Sequence, residues 1–509
     1  MRTILTLMDS RRIMVRVPCG QPLPVSSSGI GRTVLLLGLV ALCDQGRALA
    51  VPPPVNLGNA AEAGDDASSG VFGFLSNWRR SSNLLGNMWG LRPELGKYGA
   101  VLAVQETSEV FGNPTGGSHR GAGYNGLTVA VLQVDTQRAV GWYGGTFNVS
   151  MEQIHGRNYS ADNLMALQTV SGIEADRATR LWELWYDQKF LDQQKLDIKI
   201  GQQSLDQEYM VSANALVFAN TMFGWPMLPS ADLPGGGPAY PLSALGVGGK
   251  YWLATPLYLL GGIYSGSPTR SRDGDPQMTN RSGTSFPLNR GVLAIAEFQY
   301  VYPALGAMVS PDEVQPLSHV YRIGGWYDSE PFADQFWDNT GIPLASPESN
   351  GTALAHRGAF SFYAVMDQMI WRSHTDPNRT ISLFGRAMGA PQSDRVPIDF
   401  SMNFGLTFND PLPYRTDDTF GVGMGYTHVS GALANYNRAV KRYSGAYSPA
   451  QGGETYVELT YQYQFTGWMQ WQPDFQYIFN PGGGIPNPTH PDRRLKDELV
   501  FGFRTNIAL

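Results

Sequence analysis

Between Gly453 and Phe479 the chain alternates apolar and polar positions through two long runs. Thr455, Val457, Leu459, Tyr461, Tyr463 and Phe465 share one side, and Tyr456, Glu458, Thr460, Gln462 and Gln464 share the other. Past Thr466-Gly467, Met469, Trp471, Phe475, Tyr477 and Phe479 oppose Gln470, Gln472, Asp474 and Gln476. A period of two predicts two strands, and the short break between them predicts a hairpin. A soluble sandwich would fill the apolar side with Val, Ile and Leu, whereas here both ends carry Tyr, Trp and Phe. The polar side carries long amides and carboxylates. That combination fits a hairpin whose outer face meets lipid, with aromatic rings at the interfaces, and whose inner face meets water. The competing reading is a one-sided surface hairpin of a soluble β domain.

The remainder of the chain bears on that choice. From Tyr98 onward it divides into sixteen candidate strands, at about 99–110, 124–136, 138–155, 177–191, 194–206, 243–254, 255–267, 290–302, 316–328, 356–371, 378–389, 395–409, 417–431, 453–466, 467–480 and 494–507. Connections after even-numbered strands are mostly tight (Thr136 to Arg138, Asp192-Gln193, Ala254-Thr255, Thr466-Gly467), while those after odd strands are mostly long and rich in Gly, Pro and Asn. A sandwich has no reason to keep such parity; a barrel with short periplasmic turns and long extracellular loops does. The opening rhythm recurs in Ile398, Phe400, Met402, Phe404, Leu406 and Phe408 against Asp399, Ser401, Asn403, Gly405 and Thr407, and in Leu196, Ile198 and Ile200 against Asp197, Lys199, Gly201 and Gln203. The expected fold is all-β: a sixteen-stranded antiparallel transmembrane β-barrel over residues 99–509, with a short N-terminal helical segment. Closure removes every sheet edge, as a hydrocarbon layer requires. At sixteen strands side chains cannot fill the lumen, so it is expected to hold water. The last strand ends in Leu509, where barrel proteins usually place an aromatic residue, so the assembly signal is imperfect.

Composition narrows the picture further. The chain has 509 residues, 16% of them charged, with 59 Gly and a mean hydropathy of -0.21. Its one apolar run, Val34 to Cys43, is too short to span a bilayer as a helix. That run follows Arg11, Arg12, Arg16 and Arg32 and precedes Ala48-Leu49-Ala50, which predicts a signal peptide over residues 1–50. Its basic region is long enough that Met14 is a candidate start. Both cysteines, Cys19 and Cys43, fall in the segment to be removed, so the mature chain crosses an oxidising compartment with nothing to pair. A formal charge of -6 argues against nucleic acid as a partner. Residues 51–98 read as a flexible mature N-terminus; within them Phe72 to Leu91 has the pattern of a short amphipathic helix, either bracing or plugging the periplasmic mouth or without function.

The runs ETYVELTYQYQFTGWMQWQPDFQYIFNPGGG (Glu454 to Gly484) and ELVFGFRTNIAL (Glu498 to Leu509) resemble the C-terminal signature of the carbohydrate-selective porin family. Upstream, WGLRPELGKYG from Trp89, GWYGGTF from Gly141, RLWELWYDQKF from Arg180, KIGQQSLDQEY from Lys199, PAYPLSALGV from Pro238 and GGIYSG from Gly261 are similar to that family's runs in the same order. The resemblance covers roughly residues 85–509 and departs at Leu509 and at Leu205, where the family more often has Ala. It implies a sixteen-stranded porin of the Gram-negative outer membrane that passes glucose and related sugars by diffusion, with no cofactor and no catalysis. A general porin for other solutes, an outer-membrane hydrolase and a surface adhesin are the alternatives; a homotrimer is among the open oligomeric states.

A sugar offers hydroxyls and apolar C–H faces, so a pore that favours it needs hydrogen-bond donors and acceptors, aromatic faces and charges of both signs. Alternation places Glu183, Trp185, Asp187, Asp197, Lys199, Gln203, Glu297, Gln299, Arg322, Trp326 and Asp328 on the lumen wall, joined by Ser361, Tyr363, Asp367, Arg386, Glu458, Gln462, Trp468, Gln470 and Gln472. Glu183, Lys199, Arg322, Arg386 and Trp326 are the candidates for the constriction, against the plainer reading of wall residues that are merely wetted or paired across strands. The connection Asp206 to Ser243 is long enough to fold inward as an eyelet or to cap the outside. Asp273-Gly274-Asp275 reads as a polar turn. The seven histidines show no metal-ligand pairing, and no G-x-S-x-G stands near any of them.

Overall fold

A computed structural model describes residues 55, 57, 81–191, 194–303 and 316–509. The expected signal peptide, all but Val55 and Leu57 of the flexible segment to residue 70, most of the helix expected over 72–91, both cysteines and the Asp192-Gln193 turn lie outside these residues. Sixteen strands form the barrel: β1 Ala100–Thr115, β2 Gly121–Asp135, β3 Gly145–Gly156, β4 Ala178–Phe190, β5 Leu196–Gln203, β6 Ala244–Ala254, β7 Leu257–Ser265, β8 Val292–Tyr302, β9 His319–Asp338, β10 Ala353–Arg372, β11 Thr380–Gly389, β12 Ile398–Asn409, β13 Thr419–Val429, β14 Gly453–Thr466, β15 Met469–Phe479 and β16 Glu498–Ala508. Each pairs antiparallel with its neighbours in sequence, and β1 pairs with β16 to close the cylinder. Among the described residues no helix is long and apolar enough to cross a membrane.

The alternation read from the sequence sets which side chain faces which way. On β12, Phe400 and Phe404 are exposed on the outer surface while Ser401, Asn403 and Thr407 are buried inside. On β14, Tyr456, Glu458 and Thr460 are buried inside and Leu459 is exposed outside. Most expected bounds shift by a few residues, and three shift further. Arg138 to Gly144 are not strand: Asp135 accepts hydrogen bonds from the backbone N–H groups of Gln137 and Arg138 and caps a short helix, Thr136–Val140, so β3 begins only at Gly145. β9 runs ten residues past the expected end, to Asp338, because its two-residue rhythm continues through buried Asp328, Glu330, Phe332 and Asp334. Residues 81–90 are turns, and the described N-terminal helix is Leu91–Lys97.

That helix ties both ends of the barrel together. Arg92 donates to the backbone oxygens of Gly86, Leu102 and Leu509. The backbone N–H of Leu84 donates to Ala508 at 2.8 Å, and that of Leu509 to Val104 at 2.8 Å. Leu509 thus completes the ladder without an aromatic ring.

Candidate functional site

The connection from residue 204 to 243 folds into the lumen rather than over it. Nearly all of it is buried, and it touches walls on opposite sides of the cylinder. Irregular backbone inside a barrel leaves N–H and C=O groups that no ladder satisfies, and each costs free energy if left alone. Here inward-facing side chains satisfy them. Glu183 on β4 accepts from the N–H of Ser204 at 3.0 Å, Glu297 on β8 from that of Met210 at 2.8 Å, and Glu458 on β14 from those of Ala219 and Asn220 at 2.6 and 3.1 Å. Asp367 on β10 accepts from the Ser212 hydroxyl at 2.6 Å. Gln472 on β15 donates to the carbonyl of Val217 at 2.9 Å.

Arg386 on β11 makes the largest set of these contacts. Its guanidinium, 2% exposed, donates to the carbonyls of Met210, Met222, Phe223 and Gly224 at 2.5 to 3.0 Å and to Asn403 at 3.0 Å. Two strands along the same wall, β13 turns glycines inward at 421, 423 and 425; the stacked rings of Phe218 and Phe223, 4.2 Å between centroids, lie against the bare backbone of the first two, and Tyr456 against the third. The β3–β4 connection enters too: Glu454 accepts from the N–H groups of Leu167, Gln168 and Gly482, and the N–H of Gly172 donates to Ala219 at 2.7 Å.

The twelve principal wall candidates all sit on inward strand positions, in two different settings. Glu183, Glu297, Gln299, Trp326, Asp367 and Arg386 are buried, and most of them bear on the infolded connection rather than on open water. Gln299 donates to Glu297 at 2.6 Å, and Arg322 lies 3.0 Å from Asp367 and 3.8 Å from Glu297, bracing two of the latches. Trp185, Asp187, Lys199 and Gln203 line a cavity of about 240 Å³ with Lys189, Asp197, Glu208 and Lys250. There Lys199 pairs with Glu208 and sits 4.4 Å above the Trp185 ring. Gln470 lines a second cavity of about 390 Å³ with Gln462, Gln464, Gln472, Trp468 and Asn506. Both cavities lie toward the short-turn end. Alternation identifies the inward face but carries no information about what else occupies the lumen, so the latching role of the acids was not visible in it.

Two features are new. At the long-loop end, His356 lies 2.7 Å from Asp334 and 3.8 Å from Asp394, in a set whose ligand atoms are within 4.8 Å of one another. The three come from β9, β10 and the β11–β12 connection, which spacing along the chain cannot relate. The Arg395 fork holds the Asp394 carboxyl below its usual range, and Asp334 also caps the N–H groups of Phe336 and Trp337. The set is a hydrogen-bonded clamp between strands and loop. Asp275 caps a short helix, Pro276–Thr279, in keeping with a polar turn at Asp273-Gly274-Asp275.

Within the β3–β4 connection, burial pushes the Glu174 carboxyl up to about 8, against hydrogen bonds from the N–H and hydroxyl of Ser160 that pull it down. A raised carboxyl keeps its proton when folded at a pH where the unfolded chain has lost it. Its contribution to stability is therefore full below about 4.5 and lost as pH rises toward 8. Wild type is expected to lose stability relative to Glu174→Gln across that window, on the order of a few kcal/mol at most. Thermal unfolding of both proteins at pH 4.5, 6 and 8 checks this; parallel curves would refute it.

The chain matches the model of the carbohydrate-selective porin family, OprB, over residues 119–509. It is 25% identical over 451 residues to Porin B of Pseudomonas aeruginosa, covering 84% of this chain and 91% of that protein. It is 23% identical over 429 residues to a putative porin, QuiX, of Acinetobacter baylyi, covering 79% and 89%. Among solved structures, the high-pH structure of Pseudomonas putida OprB superposes with a TM-score of 0.73 at 23% identity, over 85% of this chain and 99% of that one.

Proposed function

From the premise that this chain belongs to the carbohydrate-selective porin family OprB, and is an outer-membrane porin, we propose that neutral sugars, glucose and its relatives, are the solutes it passes by diffusion. The observation that carries this reading is the chemistry of the space left beside the infolded connection. In the smaller cavity the charges balance, Asp187, Asp197 and Glu208 against Lys189, Lys199 and Lys250, so neither sign of small ion is favoured by a net field. The larger cavity is walled by carboxamides and an indole. Amides replace the hydration of a hydroxyl, and rings accept a sugar's C–H face, without the strong binding that would halt passage.

Trp185, Lys199 and Gln203 line the route in this reading, while Glu297, Asp367 and Arg386 define its width through the connection they hold. Planar-bilayer recordings test it. Glucose and maltose added on one side are expected to reduce the ion current through the open channel reversibly, with weak selectivity between K⁺ and Cl⁻. A current indifferent to every neutral sugar and strongly ion-selective would replace this reading with that of a general porin.

A further inference from the structure

The larger cavity contains a row of side chains with a common direction. Register places Thr107 opposite Asn506, Asn506 opposite Gln470, and Gln470 opposite Gln464, so one inward rung crosses β1, β16, β15 and β14. Along it the Thr107 hydroxyl donates to Asn506 Oδ1 at 2.9 Å, Asn506 Nδ2 to Gln470 Oε1 at 3.0 Å, Gln470 Nε2 to Gln464 Oε1 at 3.4 Å, and Gln464 Nε2 to the carbonyl of Thr466 at 2.6 Å. Every bond between side chains points the same way round the wall, and Gln464 ends the row on the carbonyls of Thr466 and Met469 at the turn. Bonds in such a chain polarise one another and fix the orientation of each amide.

A carboxamide has two N–H groups and two lone pairs. Among the described residues Asn506 and Gln470 each use one N–H and one lone pair within the rung, which leaves one donor and one acceptor on each of two adjacent side chains facing the cavity. Each hydroxyl of a vicinal diol likewise gives one hydrogen bond and takes one. Neighbouring amides held at strand spacing, about 4.7–4.9 Å apart, match a pair of adjacent ring hydroxyls. A charge at this point would hold a counter-ion. The cavity's Arg504 is bound instead to Glu109 at 2.9 Å, and the remaining polar lining is amide.

We propose that Gln470 and Asn506 form a subsite for the vicinal hydroxyls of a neutral sugar on the periplasmic side of the infolded connection. The proposal rests on the sugar reading given above and adds the place and the group recognised. Sugar-dependent block of the full-length porin in planar bilayers tests it, with glucose and its monodeoxy derivatives as probes.

In the wild-type protein at least one monodeoxy sugar is expected to block about fivefold more weakly than glucose, the loss of a hydrogen bond or two. Gln470→Leu with Asn506→Leu is expected to weaken glucose block by about tenfold while sugar-free conductance stays within about twofold. Arg493→Gln, at an exposed position outside both cavities, is expected to leave glucose block unchanged. Glucose block that survives in the double variant, or monodeoxy sugars that all block as well as glucose, would overturn the subsite while leaving the sugar reading standing. No block of the wild type by any sugar would overturn both. The deoxy-sugar series needs no variant, so it decides the matter even where the double substitution does not assemble.

Discussion

Arg386→Ala is expected to raise single-channel conductance at least twofold and to weaken glucose block. The barrel ladder does not depend on this guanidinium, but four carbonyls of the infolded connection do. Hydrogen bonds to a charged donor contribute about 1.5–3 kcal/mol each, and buried carbonyls left without a donor add a further cost. Losing all four at once destabilises docking of residues 210–224 by roughly 3 kcal/mol or more, enough to populate undocked states. Arg386→Lys should rescue little, because an ammonium is a point donor that cannot reproduce a planar fork serving several acceptors. Conductance and heat-modifiable mobility in SDS, measured together, separate a widened pore from a misassembled one. A normally folded Arg386→Ala barrel with wild-type conductance would show that the guanidinium does not hold the connection.

The same connection can be attacked from two strands further along the wall, on β13. A side chain begun at Gly423 would place its first carbon 2.5 Å from the Phe223 ring and 2.9 Å from that of Phe218. Neither ring has room to yield, because Phe223 also packs against Phe384 and Tyr456, at 5.6 and 5.4 Å between centroids. Gly423→Leu is therefore expected to displace the aromatic pair at a cost of about 1–3 kcal/mol in overpacking, and to raise conductance as Arg386→Ala does. Protease susceptibility of residues 204–243 should rise in both variants. If Gly423→Leu keeps wild-type conductance and protection, the bare β13 face is not the seat of the connection.

These two sites show what the sequence discloses and what it withholds. Alternation along Gly453 to Phe479, and the parity of short and long connections, are local properties of the chain, so strand count and facing were legible. Alternation also placed Glu297 and Arg386 on the inner wall, but it could not show that they meet backbone rather than water. Their partners lie 87 and 162–176 residues away, in a segment without periodicity. The glycines at 421, 423 and 425 can be read from the chain only as small residues in a strand; in the fold the rings of Phe218 and Phe223 occupy the space at the first two and Tyr456 that at the third. His356 with Asp334 and Asp394 was hidden for a similar reason, since three separate elements supply it. The start of β3 is different: the aspartate cap at Asp135 is a local signal, made with the N–H groups of Gln137 and Arg138.

The join between β1 and β16, secured by Arg92 and Leu509, has a consequence in time. The first strand keeps an unpaired edge until the last residues of the chain reach it, so the cylinder can be sealed only once the whole chain is present. Until then the walls that hold the inner connection stand apart, and a chain missing even its final strand is left with two open edges that invite aggregation.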